Sequence, residues 1–547
     1  MWLAAGVVTG SLVVIGALSL GRVIVDASGP PDALPAPHYL EEATTAGVTH
    51  VYDGEFTFFV GGGVAVFDCN QDSRPDLYFA GGVNPASLYV NASPIAGELA
   101  FEQVAGPTTD LTSVAGAYPL DVDGDGLVDL AVLRVGENVM LRGLGNCRFE
   151  RANEAWGIDG GNEWTAAFSA QWEGAAVLPT LAFGNYVALT ESGERAGGCS
   201  DSMMLRPAGN STYGSPITLS PGWCTLSVLF SDWDRSGRRD LRMTNDRHYY
   251  RDGEEQLWQV APGEPPRPYT REDGWQKMSI WGMGIASYDL TGDGLPEVFL
   301  TSQGDNKLQT LVDGPAQPNY ADIALDRDAN AHRPFTGDDT LMPSTAWHAE
   351  FQDVNNDTFI DLFVAKGNVD AMAEFAADDP SNLMLGGPEG TFTEGADDAG
   401  IVNFAQGRGA ALADLNMDGL LDLVEVNRRE NVKMWRNVGS GDAGKSEPLG
   451  NWVALQLEQP GPNRDAIGSW IEVKAGSQTA ERELTIGGGH AGGQLGWVHF
   501  GLGAAEEAEI QVQWPDGEKG PWMTVDANQF LTIDRDDAEA RPWQGQD

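Results

Sequence analysis

A chain of 547 residues, 42% of them hydrophobic, has room for three or four domains and enough apolar surface to give each a core. Its 80 acidic and 33 basic residues leave a formal charge of −47, which argues against nucleic acid or anionic lipid as a main partner. Four cysteines exclude a disulfide scaffold, while 69 glycines and 17 tryptophans point to turn-rich β structure rather than a helical bundle.

The first 28 residues read as a targeting segment. Trp2 to Gly21 is uncharged and mostly apolar, and Arg22 ends the run. That length can cross a bilayer, while Val25-Asp26-Ala27 resembles a small-residue cleavage site. A cleaved signal peptide and an uncleaved membrane anchor both fit, and either implies export to the periplasm, the cell surface or the medium. A Pro-rich linker occupies 29–39.

From residue 40 to 447 an acidic nonapeptide recurs. Its oxygen-bearing positions 1, 3, 5 and 9 are Asp68, Asn70, Asp72 and Asp76, then Asp121, Asp123, Asp125 and Asp129. The next two copies carry Asp232, Asp234, Ser236 and Asp240, then Asp289, Thr291, Asp293 and Glu297. The last two carry Asp353, Asn355, Asp357 and Asp361, then Asp414, Asn416, Asp418 and Asp422. Successive copies start 53, 111, 57, 64 and 61 residues apart. The doubled interval marks a unit without acids, which Trp164–Trp172 and Leu181–Val187 fit, giving seven units. Each copy follows a Gly/Ala-rich apolar run and precedes short β-rich runs, and four short strands per unit make a propeller blade.

The spacing has a chemical reason. Oxygens at positions 1, 3 and 5 of a tight loop converge, and a carbonyl near 7 with a carboxylate at 9 completes a set suited to Ca²⁺. Position 6 is Gly in four of the six copies, where the loop turns sharply. An EF-hand needs an acid at position 12, but Phe79, Val132, Met243, Leu300 and Val364 stand there in five copies. Acids that only form turns by accepting backbone N–H bonds are the simpler alternative. The 232–240 copy is the weakest, because Arg238 and Arg239 lie inside it.

Beyond residue 448, alternation in Trp452–Leu457 and Ile510–Trp514 marks half-buried strands, and Gly487–Gly489 and Gly492-Gly493 read as turns. The expectation is a small β-sandwich over 448–537, followed by an acidic tail at 538–547. The fold class expected is thus all-β, a seven-bladed β-propeller with a C-terminal β-sandwich.

The blades resemble the FG-GAP/VCBS repeats of integrin-α-type propellers, whose loops carry the same Asp-x-Asp-x-Asp-Gly-x-x-Asp pattern. The C-terminal part resembles the ASPIC/UnbV domain of cartilage acidic protein and its bacterial relatives. That resemblance rests on Asn463-Arg-Asp-Ala-Ile-Gly468, Ile471-Glu-Val473, His499-Phe-Gly-Leu-Gly503, Ile510–Gly517 and Ala527–Phe530. It implies a calcium-binding propeller and supplies architecture more than activity.

Cys199 and Cys224 can pair in an exported chain or stand as two buried thiols, and Cys69 and Cys147 are expected to be free. Asn91, Asn210 and Asn356 head Asn-x-Ser/Thr triplets, the last inside an acidic loop. No nucleophile elbow, zincin helix or phosphate loop is visible. Five residues before the first acid, four units have Gly63, Gly116, Gly284 and Gly409, but the sixth blade has His348, with Glu350 two further on. With Arg408 of the next blade, these form a candidate channel site, for which a structural ion pair is the alternative. Asn245–Tyr250 reads as either a binding loop or a packed aromatic turn. Three functions fit: a non-catalytic exported module for a protein or glycan partner, a catalytic propeller acting through the channel, or an acidic calcium-binding surface protein. Neither the ligand nor the oligomeric state is legible.

Overall fold

The computed structural model describes residues 33–543 apart from 191–194, 210, 247–252, 331–344, 370–378 and 538. The N-terminal targeting segment, Asn210, residues 247–250 of the Asn245–Tyr250 run, and residues 538 and 544–547 of the tail lie outside the described residues. Among the described residues no helix is long and apolar enough to cross a membrane.

Among the described residues, the strands between 38 and 439 form seven four-stranded antiparallel units, those of the second and third being hydrogen-bonded to each other, and one two-stranded ribbon of Val187–Leu189 with Arg195–Cys199. Their innermost strands are Val64–Phe67, Val114–Leu120, Glu163–Gln171, Thr225–Ser231, Gly282–Tyr288, Ala346–Gln352 and Gln406–Ala413. Each touches the next in that order and the seventh touches the first, so the ring is closed. These strands are almost wholly buried and rich in Ala, Val and Gly, which lets seven of them crowd around one axis. The third blade is built on Glu163–Gln171 and Thr180–Asn185, where the doubled interval leaves room for it.

Neither 48–60 nor 452–457, the segments at the two ends of the repeats, completes an end blade. His38–Glu41 does so, pairing antiparallel with Lys433–Gly439 of the seventh blade. Four residues give too short an alternation to be read as a strand, yet Tyr39 is buried and its hydroxyl donates to the Leu421 carbonyl at 3.0 Å. The propeller therefore begins at residue 38.

Residues 451–542 form two four-stranded sheets. One sheet orders Val498–Gly503, Asn451–Glu458, Gln529–Asp534 and Arg541–Pro542. The other orders Gln478–Glu483, Trp470–Ala475, Glu507–Gln513 and Met523–Asp526. Val453, Leu455, Ile471, Val473, Ile510, Val512 and Leu531 fill the core between them, as alternating inward residues of a sandwich do.

Candidate cation loops and the filled channel

The six acidic nonapeptides join the first and second strands of blades one, two, four, five, six and seven, so they share one end of the propeller. Their backbones agree closely. Positions 4 and 6 have positive φ in every copy, between 56° and 84°, including the non-glycine residues Ser73 and Thr358. The first carboxylate accepts N–H bonds from within its loop, as Asp121 does from Gly124 (2.9 Å) and Gly126 (2.9 Å). In five copies the ninth residue accepts from the N–H of position 2, as in Asp422 from Leu415 at 2.9 Å. Its other oxygen usually takes an N–H of the third strand, as Asp422 does from Asn437 at 2.8 Å.

These bonds leave the acids clustered and short of positive charge. Asp121, Asp123 and Asp129 place oxygens within 4.8 Å of one another. Burial pushes Asp76 up to about 7 and Asp121 to about 6, with neighbouring acids adding to the effect. Burial and the adjacent carboxylates hold Asp353, Asp361, Asp414 and Asp422 well above the ordinary range. Asn416 is 1% exposed, and its Oδ1 has no hydrogen-bond partner; the buried Asp123 Oδ1 has none either. Converging oxygens with spare lone pairs in a desolvated loop fit a hard divalent cation. Arg142 pairs with Asp123 (2.7 Å) and Asp125 (2.9 Å) from the solvent side of its loop.

The 232–240 copy differs. The Arg238 guanidinium grips Asp240 with two bonds of 2.9 and 3.0 Å and comes within 3.8 Å of Asp234. Trp233 Nε1 and the Tyr269 hydroxyl also donate to Asp240, at 3.0 and 2.7 Å. This loop carries its own cation, so Asp232, Asp234, Ser236 and Asp240 are a poor metal site, and the cause is a charge already in place.

The channel is filled by the chain itself. The segment joining Gln478–Glu483 to Val498–Gly503 of the sandwich enters the propeller from the acidic-loop end. Gly488 donates to the Val228 carbonyl (2.9 Å), Gly489 to Ile285 (2.7 Å) and Leu495 to Val66 (2.9 Å). In return Val66 donates to Gly493 (3.0 Å) and Ala117 to Ala491 (3.1 Å). This contact explains two of the four glycines in the row, while Gly284 and Gly409 are held small by the Trp347 carbonyl and by Gly62-Gly63 of neighbouring blades. A Cβ on Gly63 or Gly116 would lie 1.8 or 2.1 Å from the Ala491 carbonyl oxygen.

His348 stands in that row as an anchor: its Nδ1 accepts the His490 N–H at 3.1 Å, and its Nε2 is 3.4 Å from Glu350. Glu350 also accepts from Gln494 (2.8 Å), Gln352 (2.8 Å) and the Leu412 N–H (3.1 Å). Arg408 is fully buried, bonded to the carbonyls of Phe59, Gly367 and Asn368, and stacked on Trp347. His348 and Glu350 thus meet, but Arg408 serves elsewhere, and the three do not form an open ligand site. A cavity of about 190 Å³ remains beside the inserted segment, bordered by Tyr288, Glu350, Gln352 and Arg482.

Both cysteine pairs are disulfides. Cys199 joins Cys224, and Cys69 joins Cys147 across blades one and two with Cα atoms 4.6 Å apart. The expectation of free Cys69 and Cys147 fails because position 2 of the first loop abuts the outer turn of the next blade, where Cys147 donates to the Cys69 carbonyl at 2.9 Å. Asn91 and Asn356 are buried, with both amides engaged, so neither triplet is open to modification in the folded chain.

Residues 68–132 match the FG-GAP-like repeat family model, and residues 459–540 match the ASPIC and UnbV model. A search among curated proteins found no match. Among solved structures, the chain is similar to BBS1N crystallised with ARL6DN (TM-score 0.41, 10% identity, 74% of this chain and 98% of that one). It is also similar to the WD40 domain of Toxoplasma gondii coronin (TM-score 0.41, 11% identity, 77% of this chain and 95% of that one). The ring of strand contacts establishes the fold independently of these likenesses.

Proposed function

We propose that this chain, which carries an FG-GAP-like repeat and an ASPIC/UnbV domain, is an exported, non-catalytic, calcium-stabilised binding module for a protein or glycan partner. The filled channel carries the reading. A propeller whose axis is packed with its own backbone leaves only the cavity of about 190 Å³ beside the inserted segment, and the His348–Glu350 pair on its wall is engaged in holding that segment. Recognition then falls to loops and blade faces, where rigid scaffolds usually place it.

Calcium is supported by the all-oxygen loops and the partnerless Asn416 Oδ1. Export is supported by two disulfides, which persist in oxidising compartments. The charge of −47 weighs against nucleic acid as a partner.

The test is retention of defined glycans and cell-envelope fractions on immobilised protein, in millimolar calcium and then in chelator. The reading expects one component retained in calcium and released by chelator. Retention of nothing by folded, calcium-loaded protein would leave only the structural surface-protein reading. A substrate whose turnover is lost in His348→Ala would restore the catalytic one.

A further inference from the structure

The sandwich does not merely follow the propeller; it sits on the acidic loops. Five of the six loops touch it, and the fourth shares a cavity with it. Trp497 Nε1 donates to the Ser73 carbonyl of the first at 2.9 Å. Pro462 and Arg464 pack on Gly124 and Gly126 of the second, so closely that a Cβ on Gly124 would lie 2.8 Å from Pro462. Arg235 and Arg239 of the 232–240 loop pair with Glu481 (3.0 Å) and Glu483 (3.2 Å). Pro296 of the fourth loop borders the same cavity as Glu481 and Arg482. His499 Nε2 donates to Asn356 Oδ1 at 2.6 Å, and a Cβ on Gly501 would strike Asp353. Trp452 covers Gly419.

The charges across this interface are uneven. Where the propeller loop supplies arginines, the sandwich answers with glutamates. Over the 353–361 and 414–422 loops it offers His499, Gly501 and Trp452, none of which brings a fixed positive charge. Over the second loop it brings both Arg464 and Asp465, and beside the fourth it brings the acidic Glu481. Nothing in these contacts neutralises the buried carboxylates of 353–361 and 414–422, and burying uncompensated charge is costly.

We propose that cation binding in the acidic loops and docking of the sandwich, with residues 486–497 in the channel, are one coupled equilibrium. Losing the cations undocks the sandwich and opens the channel. The proposal rests on the calcium reading above and adds what the ion does. Loaded loops form the seat, and the sandwich seals the ions in. Reciprocity follows, because a docked domain that tightens ion binding is itself tightened by the ion to the same extent.

The experiment is hydrogen exchange on the full chain, with bound calcium counted in the same samples before and after chelation. Stripping the ion should speed exchange in 486–497 by about tenfold or more, within the usual range of coupling between sites. The paired strands Trp470–Ala475 and Glu507–Gln513 should stay protected, showing undocking without unfolding. Gly492→Val, whose side chain would collide with the Val64 backbone, should weaken calcium binding by about tenfold. If that variant does not fold, Trp497→Phe, which removes the bond to Ser73 and keeps an aromatic ring against Phe530 and Trp543, should weaken binding at the first loop. Calcium that is bound and then stripped with no change in 486–497 would overturn the coupling and leave the calcium reading intact. Protein that binds no calcium at all would overturn both.

Discussion

The 414–422 and 232–240 loops share a backbone and answer the same problem in different ways. Each turns through positive φ at positions 4 and 6, and each buries a ninth-position carboxylate at 1% exposure or less. In the first, Asp414 and Asp418 lie near enough to Asp422 to raise it, with a partnerless Asn416 oxygen in the same loop. In the second, Arg238 grips Asp240 from within the loop. The difference teaches that the blade needs a positive charge at this corner, and that an ion or a guanidinium can supply it. A third solution appears in the same blade as Arg238. Glu255 is fully buried, one of its oxygens has no partner among the described residues, and burial pushes it up to about 8. There a proton serves.

The largest expected effect breaks the ion-type corner. Asp422→Ala leaves the Leu415 and Asn437 N–H groups buried and unbonded, at about 1–3 kcal/mol each, so about 4 kcal/mol should be lost in denaturant unfolding. One calcium should be lost with it.

A smaller effect exchanges one solution for the other. Arg238→Ala leaves Asp240 unpaired and should cost about 2 kcal/mol in chelator, reduced from fully buried values because the arginine is part exposed. Millimolar calcium should restore the loss, with one more ion bound than in the parent. Loss without rescue would mean that the loop cannot accept an ion.

The smallest effect probes the proton. The folded-state pKa of Glu255 is raised, so its carboxyl is accommodated at low pH, and stability falls as pH rises through about 8. Glu255→Gln should keep the Asn245 N–H bond and gain stability over the parent as pH rises from 5 to 9, with the smallest difference at pH 5. An equal difference at both values would contradict a buried neutral acid.

Much of this was legible in the sequence, because it is local and repeats. The nonapeptide spacing located every acidic loop, and the doubled interval located the third blade. The family models agree with the resemblance drawn from the loop pattern and from Asn463–Gly468. What was not legible depends on distant segments meeting. Gly487–Gly493 looks like turn punctuation until it is seen lying against Gly63 and Gly116, whose own missing side chains were the available signal. His38–Glu41 is too short to announce a strand that closes a ring 400 residues later. Arg238 could be seen inside its loop, but its grip on Asp240 could not.

The most direct measurement is a count of calcium in the purified, folded chain by elemental analysis, paired with melting in calcium and in chelator. The account predicts one ion in each loop whose ninth carboxylate is not gripped by an arginine of the same loop, five rather than six, and a melting temperature that falls sharply on chelation, since each site held at a hundred times its dissociation constant contributes about 2.7 kcal/mol. A chain with no bound metal and an unchanged melting temperature would contradict it, and the acids would then be turn formers.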